Sequence, residues 1–190
     1  SRETLGRLPE LTGVMKGEGE KTFAKLCKVY GKRSETSELS LEQIDGITFR
    51  CPDGTICERP WRVPMDLSEV PFVYHDMKKF ENKIIYYETS RGCPFSCSYC
   101  LSSIDKRLRF RSLELVFNEL QFFLDHKVPQ VKFVDRTFNC KHDHAMAIWK
   151  YIQEHDNGIT NFHFEVAADL LNDEEIRLIR QMRPGLIQLE

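Results

Sequence analysis

Apolar residues near the start of the chain recur at a helical spacing. Phe23, Leu26, Cys27 and Tyr30 follow the i, i+3, i+4, i+7 pattern of a helix that buries one face, so we expect Cys27 to be a core residue. Gly31 follows as the expected C-cap, because glycine readily adopts the left-handed conformation that ends many helices. The pattern predicts that the first segment ends in an amphipathic helix.

Residues 32–82 carry turn and proline signals instead of a long periodic stretch. Two short strand patterns, at 47–50 and 55–57, flank the turn signal Pro52-Asp53-Gly54. Prolines then recur at 60, 64 and 71, where they interrupt any regular element. We interpret this region as a linker that holds a small hairpin and no domain core.

From residue 83 onward, strand patterns alternate with helical patterns. Ser112 is the expected N-cap of the first helix, and Asn172 with Glu175 forms a capping-box pattern at the start of the third. Four strands are expected, around 84–87, 131–134, 162–166 and 186–189. This alternation implies right-handed crossovers and a parallel sheet, so the predicted fold class is α/β.

The composition allows a buried core and argues against a membrane protein. Of the 190 residues, 41% are apolar and 29% are charged, and no apolar run approaches the ~20 residues of a membrane span. The first residues, Ser1-Arg2-Glu3-Thr4, lack the apolar stretch of an export signal, so we expect a cytoplasmic protein. A net charge of −2 gives no electrostatic case for nucleic acid as a main partner.

Three of the seven cysteines crowd into eight residues as Cys93, Cys97 and Cys100. In a chain without an export signal, such clustering indicates metal binding more often than a disulfide framework. The CxxxCxxC spacing supplies three thiolates to a four-iron cluster and leaves one iron open to a substrate. Because the loop follows the first predicted strand, it lies at the carboxyl edge of the sheet, where parallel α/β folds place their chemistry.

The segment from Tyr87 to Gly92, followed by this cysteine loop, resembles the radical S-adenosylmethionine (SAM) superfamily. The resemblance implies that Cys93, Cys97 and Cys100 hold a [4Fe–4S] cluster whose open iron binds the amino and carboxylate groups of SAM. It also implies one-electron cleavage of SAM to methionine and a 5′-deoxyadenosyl radical. The implied fold is the N-terminal part of a partial (βα) barrel, over residues 83–190.

Other segments resemble the subclass of this superfamily that has a cobalamin-binding domain and includes the anaerobic magnesium-protoporphyrin IX monomethyl ester cyclase. Residues 17–23 resemble the closing motif of the cobalamin-binding domain, so 1–31 would be the tail of that domain. Residues 45–54 and 66–71 resemble the linker of the subclass. The resemblance therefore implies cobalamin as a further cofactor of the full-length protein.

Three more residues are candidates for binding SAM. The resemblance places Tyr99 near the adenine and Glu165 on the ribose, and it puts Asp135 where other members have a glycine-rich motif for the SAM amino group. On the residues alone, Glu165 shares a strand face with His163, and that face is either the barrel interior or a solvent-exposed surface. Asp135 ends a strand, where a solvated aspartate is common, so a structural role stays open. No catalytic residue is identified.

Three hypotheses for function follow. The first is a radical SAM enzyme of the cyclase or methyltransferase type, and the second is a methylthiotransferase-like radical SAM enzyme that acts on RNA. The third is a zinc-binding module in which Cys140, His142 or His144 completes the ligand set. Residues 140–144 also fit a loop and a helix start capped by Asp143, which argues against the zinc site. Cys51 and Cys57 fit ordinary hairpin residues, with a metal role as the alternative.

The sequence stops inside the fourth predicted strand, so we expect a fragment of a longer protein that is inactive alone. An open sheet edge is a template for pairing, which leads us to expect self-association. The expected partners of the intact enzyme are a small-molecule substrate and a reductant such as flavodoxin or ferredoxin.

Overall fold

The computed structural model describes residues 1–31, 40–103 and 107–190, and the first part of the predicted linker, 32–39, lies outside them. The helices of the described residues are α1 (Arg2–Arg7), α2 (Glu20–Gly31), α3 (Leu113–Asp125), α4 (His142–Glu154) and α5 (Asp173–Gln181). The strands are β1 (Gly13–Met15), β2 (Ile47–Arg50), β3 (Ile56–Glu58), β4 (Ile85–Tyr87), β5 (Ser90–Arg91), β6 (Arg109–Phe110), β7 (Gln130–Phe133), β8 (Asn161–Phe164) and β9 (Ile187–Leu189).

The chain divides into two compact units, Ser1–Met65 and Asp66–Glu190. In the first, β1, β2 and β3 form an antiparallel sheet in which β2 and β3 are the predicted hairpin. Ile44, Ile47 and Phe49 are buried together in this unit. The expectation that this region holds no core is therefore wrong, because strand β1, which lacks a sequence signal of its own, joins the hairpin into a sheet.

Helix α2 buries a different face from the one its apolar residues predict. Leu26 and Val29 pack against the Ile44 cluster, and Thr22 is fully buried, whereas Phe23 and Cys27 are exposed. The hydroxyl of Thr22 donates to the Asp45 carbonyl, a contact that turns the polar residue inward. The prediction that Cys27 is a core residue is therefore wrong.

The second unit contains a four-stranded parallel sheet in the order β4-β7-β8-β9. The predicted α/β fold with parallel strands is confirmed, and each strand lies within one or two residues of its expected bounds. Strands β4 and β9 are the outer strands of this sheet among the described residues, and the predicted self-association stays a prediction.

Helices α3, α4 and α5 cover one face of the sheet. Val131, Phe133 and Phe162 point to that face and are fully buried in a cluster with Leu120 of α3 and Trp149 of α4. The predicted capping box of α5 is present, since Asn172 accepts from the Glu175 backbone N–H and the Glu175 carboxylate accepts from that of Asn172. Helix α4 begins at His142, so Asp143 lies in its first turn, and the prediction that Asp143 caps this helix is wrong.

Residues 66–82 belong to the second unit and not to a free linker. Phe72 and Tyr74 each pack against Phe123 of α3 with ring centroids 5.5 Å apart, and the Tyr74 hydroxyl donates to the Tyr86 carbonyl. The division at Met65 differs from the predicted boundaries at 31 and 82, while the cobalamin-domain origin of 1–31 stays a prediction. Within the described residues, no helix combines the length and apolarity needed to cross a bilayer.

Candidate metal and cofactor site

The loop that carries the three cysteines is closed at its base by a short antiparallel ribbon. Ser90 of β5 pairs with Phe110 of β6, and Arg91 pairs with Arg109. Gly92 enters the loop at φ +103°, and a Cβ at this position would lie 2.5 Å from the carbonyl oxygen of Arg107. Only glycine fits where the two sides of the loop approach this closely.

The three cysteines sit at different depths in this loop. Cys93 is buried, Cys100 is half-buried and Cys97 is exposed, and none of the three is in a disulfide. The Cys100 N–H donates to the Cys97 carbonyl, so these two residues share one turn. Among the described residues, no group of three or more His, Cys, Asp and Glu side chains is gathered as a metal ion would require. The donor set, three cysteine thiols on one short loop, fits the chemistry of an iron–sulfur cluster.

Thr137 connects the first cysteine to the end of strand β7. Its hydroxyl lies 3.7 Å from the Cys93 sulfur, and both side chains are buried. A hydroxyl at this position can donate to a thiolate, and hydrogen bonds to ligand sulfurs are among the factors that set the potential of an iron–sulfur cluster. The sequence contains no local signal for this contact, because 44 residues separate its partners.

Asp135 is fully buried directly beneath the start of the cysteine loop. Its carboxylate accepts from the Thr89 N–H through both oxygens, at 3.2 and 3.1 Å, and from the Thr89 hydroxyl at 2.8 Å. The Ser90 hydroxyl also bonds to it, yet burial dominates and raises the pKa of Asp135 to about 6. The interpretation of Asp135 as a solvated strand end is therefore wrong, while its contact with SAM stays a prediction.

The loops after β7 and β8 are joined to each other at the same edge of the sheet. The Phe138 N–H donates to the Glu165 carbonyl at 2.8 Å. Asn139 donates to the Ala167 carbonyl and accepts from the Ala167 N–H, each at 2.9 Å. The carboxyl ends of β4, β7 and β8 thus form one hydrogen-bonded edge, with the cysteine loop at β4 and Glu165 at β8.

The sheet face opposite the helices is polar. Tyr86, Lys132, His163 and Gln188 lie side by side across the four strands on this face. The Nε2 atom of His163 lies 3.1 Å from a carboxylate oxygen of Glu190, at ion-pair distance without hydrogen-bond geometry, and Lys132 lies 3.6 Å from the same oxygen. This row supplies cationic and hydrogen-bonding groups next to the edge that carries Glu165.

The side chains of Glu165 and Tyr99 are both available to a cofactor, and they differ in exposure. Glu165 is half-buried, and within the described residues its carboxylate has no hydrogen bond or ion pair. Tyr99 is 91% exposed, at the outer part of the cysteine loop. The structure therefore leaves both side chains available, and their contacts with SAM stay predictions.

A buried ion pair, which sequence reasoning missed, supports the return strand of the loop. Arg111 follows β6, and its guanidinium bonds to the Glu119 carboxylate of α3 at 2.6 Å. The Tyr87 hydroxyl at the end of β4 donates to the same carboxylate, and burial raises the pKa of Tyr87. The Arg111 N–H also donates to the Thr89 carbonyl, so this network fixes both sides of the loop base.

Two of the three residues proposed to complete a zinc site, His142 and His144, are engaged elsewhere. The Nδ1 atom of His142 lies 2.9 Å from the Asn172 amide nitrogen and 3.1 Å from the Glu175 carboxylate. His144 is buried against Phe110, and this burial lowers its pKa to about 4. These contacts give no support to a zinc site made with either histidine.

The chain is similar in sequence to longer proteins. It is 30% identical to an uncharacterized methyltransferase of Pyrococcus horikoshii over 96% of this chain and 40% of that protein. It is also 30% identical to the anaerobic magnesium-protoporphyrin IX monomethyl ester cyclase of Synechocystis over 52% of this chain and 20% of that protein. The chain therefore spans less than half the length of these relatives.

Two solved structures share its fold. The cobalamin-dependent SAM radical enzyme OxsB, solved with aqua-cobalamin and SAM bound, superposes with a TM-score of 0.69 at 23% identity over 94% of this chain and 26% of that one. The radical SAM methyltransferase TsrM from Kitasatospora setae was solved with cobalamin and a [4Fe–4S] cluster bound. It superposes with a TM-score of 0.65 at 18% identity, over 93% of this chain and 36% of that one. At these identities, the likeness concerns the fold.

The family model of the radical SAM superfamily matches residues 87–189, a little over half of the chain, and this match contains the cysteine loop, Asp135 and Glu165. Members of this family use a [4Fe–4S] cluster together with SAM. The predicted family is thereby confirmed, with the cluster and SAM as the cofactors of that family, and this chain belongs to the radical SAM superfamily.

Proposed function

We propose that this chain is the part of a radical SAM enzyme that binds a [4Fe–4S] cluster and cleaves SAM. Cys93, Cys97 and Cys100 would hold the cluster. The observation that carries the proposal is the position of these cysteines on one loop at the carboxyl edge of a parallel sheet, with the loop base bound to Asp135 and Thr137. Ligands of open α/β sheets bind at this edge.

A cluster held by these three cysteines would supply the one electron that divides SAM into methionine and a 5′-deoxyadenosyl radical. The residues of this chain would position the reacting groups. Asp135 accepts from the backbone N–H and the hydroxyl of Thr89, and the Thr137 hydroxyl lies 3.7 Å from the sulfur of Cys93, so the first ligand would be positioned before SAM binds. The free carboxylate of Glu165 would accept hydrogen bonds from the ribose hydroxyls, and Tyr99 would cover the adenine.

Anaerobic reconstitution with iron and sulfide tests the cluster. We expect a broad charge-transfer absorption and acid-labile sulfide in the wild-type chain, and SAM should then change the electron paramagnetic resonance spectrum of the reduced cluster. Cys97→Ala should abolish the absorption, while Cys27→Ala, an exposed cysteine on α2, should retain it. Equal iron binding by Cys97→Ala, or zinc binding without sulfide, would refute the assignment.

For the longer protein, we propose cobalamin-dependent methyl transfer to a small molecule. The support is the similarity to a protein named as a methyltransferase over 96% of this chain, and the shared fold with enzymes solved with cobalamin bound. The cyclase relatives support ring formation as the second candidate, with 30% identity over 52% of the chain in one case and 21% over 92% in another.

Isotope labelling separates these two reactions. The full-length protein would be incubated anaerobically with a reductant and with SAM that carries a labelled methyl group. Methyl transfer requires the label in a product other than methionine, whereas cyclisation leaves it in methionine and releases 5′-deoxyadenosine. The proposed electron donor is a small redox protein such as a flavodoxin or ferredoxin, which should replace the chemical reductant in the same assay.

A further inference from the structure

Two cysteines of the first unit face each other across the β2–β3 hairpin. Cys51 directly follows β2, and its N–H donates to the Thr55 carbonyl. Cys57 lies in β3 opposite Phe49. Because side chains alternate along a strand, Cys51, Cys57 and Phe49 point to the same face of the hairpin.

The two sulfur atoms lie 2.7 Å apart. This is longer than a disulfide bond of about 2.0 Å but shorter than the roughly 3.5–4.0 Å of an ordinary non-bonded contact. Both side chains are half-buried and pack against the cluster of Ile44, Ile47 and Phe49, which restricts the positions that they can adopt. The thiols are therefore held against each other and still reach solvent.

The turn between them is rigid, which keeps the pair together. The Asp53 carboxylate accepts from both the N–H and the hydroxyl of Thr55, at 2.9 and 2.7 Å. Gly54 takes the left-handed conformation, at φ +84°, and its N–H donates to the Cys51 carbonyl. A preorganised turn means that little conformational freedom is lost when the sulfurs join.

We propose that Cys51 and Cys57 form a thiol–disulfide exchange site, which small-molecule disulfides such as oxidised glutathione convert to an intramolecular disulfide. The Cys51 thiolate attacks one sulfur of the oxidant, forms a mixed disulfide and releases one glutathione thiolate. Cys57 then loses its proton and attacks the Cys51 sulfur, which releases the second glutathione. Two protein thiols are oxidised and one glutathione disulfide is reduced to two thiols.

The surroundings of Cys57 favour this order of attack. Its pKa is raised by the hydrogen bond with Cys51, then by burial and by the charge of Cys51. Because a raised pKa disfavours the Cys57 thiolate, Cys51 is assigned as the attacking thiol and Cys57 as the resolving thiol. A mixed disulfide at Cys51 then removes both of the contributions that Cys51 makes to the pKa of Cys57. Since the ring closed by the bond is short, it constrains the unfolded chain little, and the pair suits reversible exchange better than permanent stabilisation.

The experiment treats the full 190-residue chain, reduced and without cluster, with increasing oxidised glutathione under anaerobic conditions. Samples are quenched in acid, alkylated under denaturing conditions, cut with trypsin and weighed by mass spectrometry. Because trypsin does not cut between Arg59 and Pro60, the peptide 51–62 contains Cys51 and Cys57 and no other cysteine. We expect this peptide to lose two hydrogen atoms and to carry neither glutathione nor the alkylating group.

Controls within the same chain make the result specific. Cys27 is exposed on α2 and should accumulate as a mixed disulfide with glutathione. In Cys57→Ser, Cys51 should likewise retain glutathione, because the resolving thiol is gone. The proposal fails if the wild-type peptide 51–62 carries glutathione to the same extent as Cys27, or if it stays fully alkylated while Cys27 reacts. The outcome is independent of the cluster and of the proposed enzyme function.

Discussion

Replacement of Asp135 by asparagine tests whether a buried carboxylate supports the base of the cysteine loop. Asparagine keeps the size of the side chain but places an amide nitrogen where one carboxylate oxygen faces the Thr89 N–H, 3.1 to 3.2 Å away. Two donors would then oppose each other in a fully buried position. Leaving one buried hydrogen-bonding group unsatisfied costs roughly 1–3 kcal/mol.

The charge of Asp135 also contributes to the free energy of unfolding. This contribution depends on pH and is opposite in sign to that of the hydrogen bonds from Thr89. Burial raises its pKa to about 6 in the folded chain, against about 3.9 for an unperturbed aspartate. The folded state therefore binds the proton more tightly than the unfolded state does. This contribution to stability is fully present below about pH 4 and is lost as the pH rises through about 6, and it amounts to about 3 kcal/mol. Asparagine has no proton to release, so the variant lacks this dependence.

The assay is urea unfolding of the reduced chain from pH 4 to pH 8, followed by tryptophan fluorescence. Trp149 is fully buried in the second unit and Trp61 is exposed in the first, so a Trp61→Phe background makes the signal report the unit that holds Asp135. Between pH 4 and pH 7, the free energy of unfolding of the wild type should fall by up to about 3 kcal/mol relative to that of Asp135→Asn.

The exposed residue Asp169 provides the matched control, because Asp169→Asn makes the same chemical change at the surface. The difference in free energy of unfolding between Asp169→Asn and wild type should vary little with pH. If the difference between wild type and Asp135→Asn were constant across this range, the carboxyl group would have the same pKa in both states. If wild type instead gained stability as the pH rose, the hydrogen bonds from Thr89 would outweigh burial. Either result would refute the reasoning.

Three further changes test the loop and the cofactor site. Gly92→Ala should abolish iron retention after reconstitution, since its Cβ would lie 2.5 Å from a backbone carbonyl, whereas Gly54→Ala, with similar backbone strain and open space, should retain iron. Glu119→Ala should destabilise the second unit by about 3–5 kcal/mol in urea unfolding, because it leaves the buried Arg111 without its ion-pair partner. The control Glu114→Ala, on the exposed face of the same helix, should cost less than about 1 kcal/mol. Glu165→Ala should weaken SAM binding to the reconstituted chain about 5–150-fold in a titration, the equivalent of ~1–3 kcal/mol, and unchanged affinity would remove Glu165 from the site.

Local patterns were sufficient where the interactions that form an element lie within a few residues. The capping box of α5 needs only Asn172 and Glu175, three residues apart, and both of its hydrogen bonds are present. The parallel strands follow from the alternation of strand and helix, because a crossover of that length brings each new strand back in the same direction. The cysteine spacing likewise identified the family without any knowledge of the fold.

Local patterns failed where the burial of an element depends on residues far away in the chain. On α2, the apolar residues Phe23 and Cys27 are exposed, while Thr22 is buried through its bond to the Asp45 carbonyl. Helical periodicity measures which residues share a face, but the burial of a face depends on what packs against it. The core beside Ile47 was missed for the same reason, since it exists only when β1 pairs with the hairpin.

The candidate site also combines features that the sequence predicts with features that only the folded structure determines. The three thiol ligands and the strand that precedes them could be predicted, because the chemistry of the cysteines and the order of the elements are properties of the chain itself. The support beneath them required the folded structure, since Asp135 reaches Thr89 across 46 residues and Thr137 reaches Cys93 across 44. Hydrogen bonds between such distant residues form only after the sheet brings the carboxyl ends of β4 and β7 side by side, and nothing in the local sequence records which polar groups will meet there.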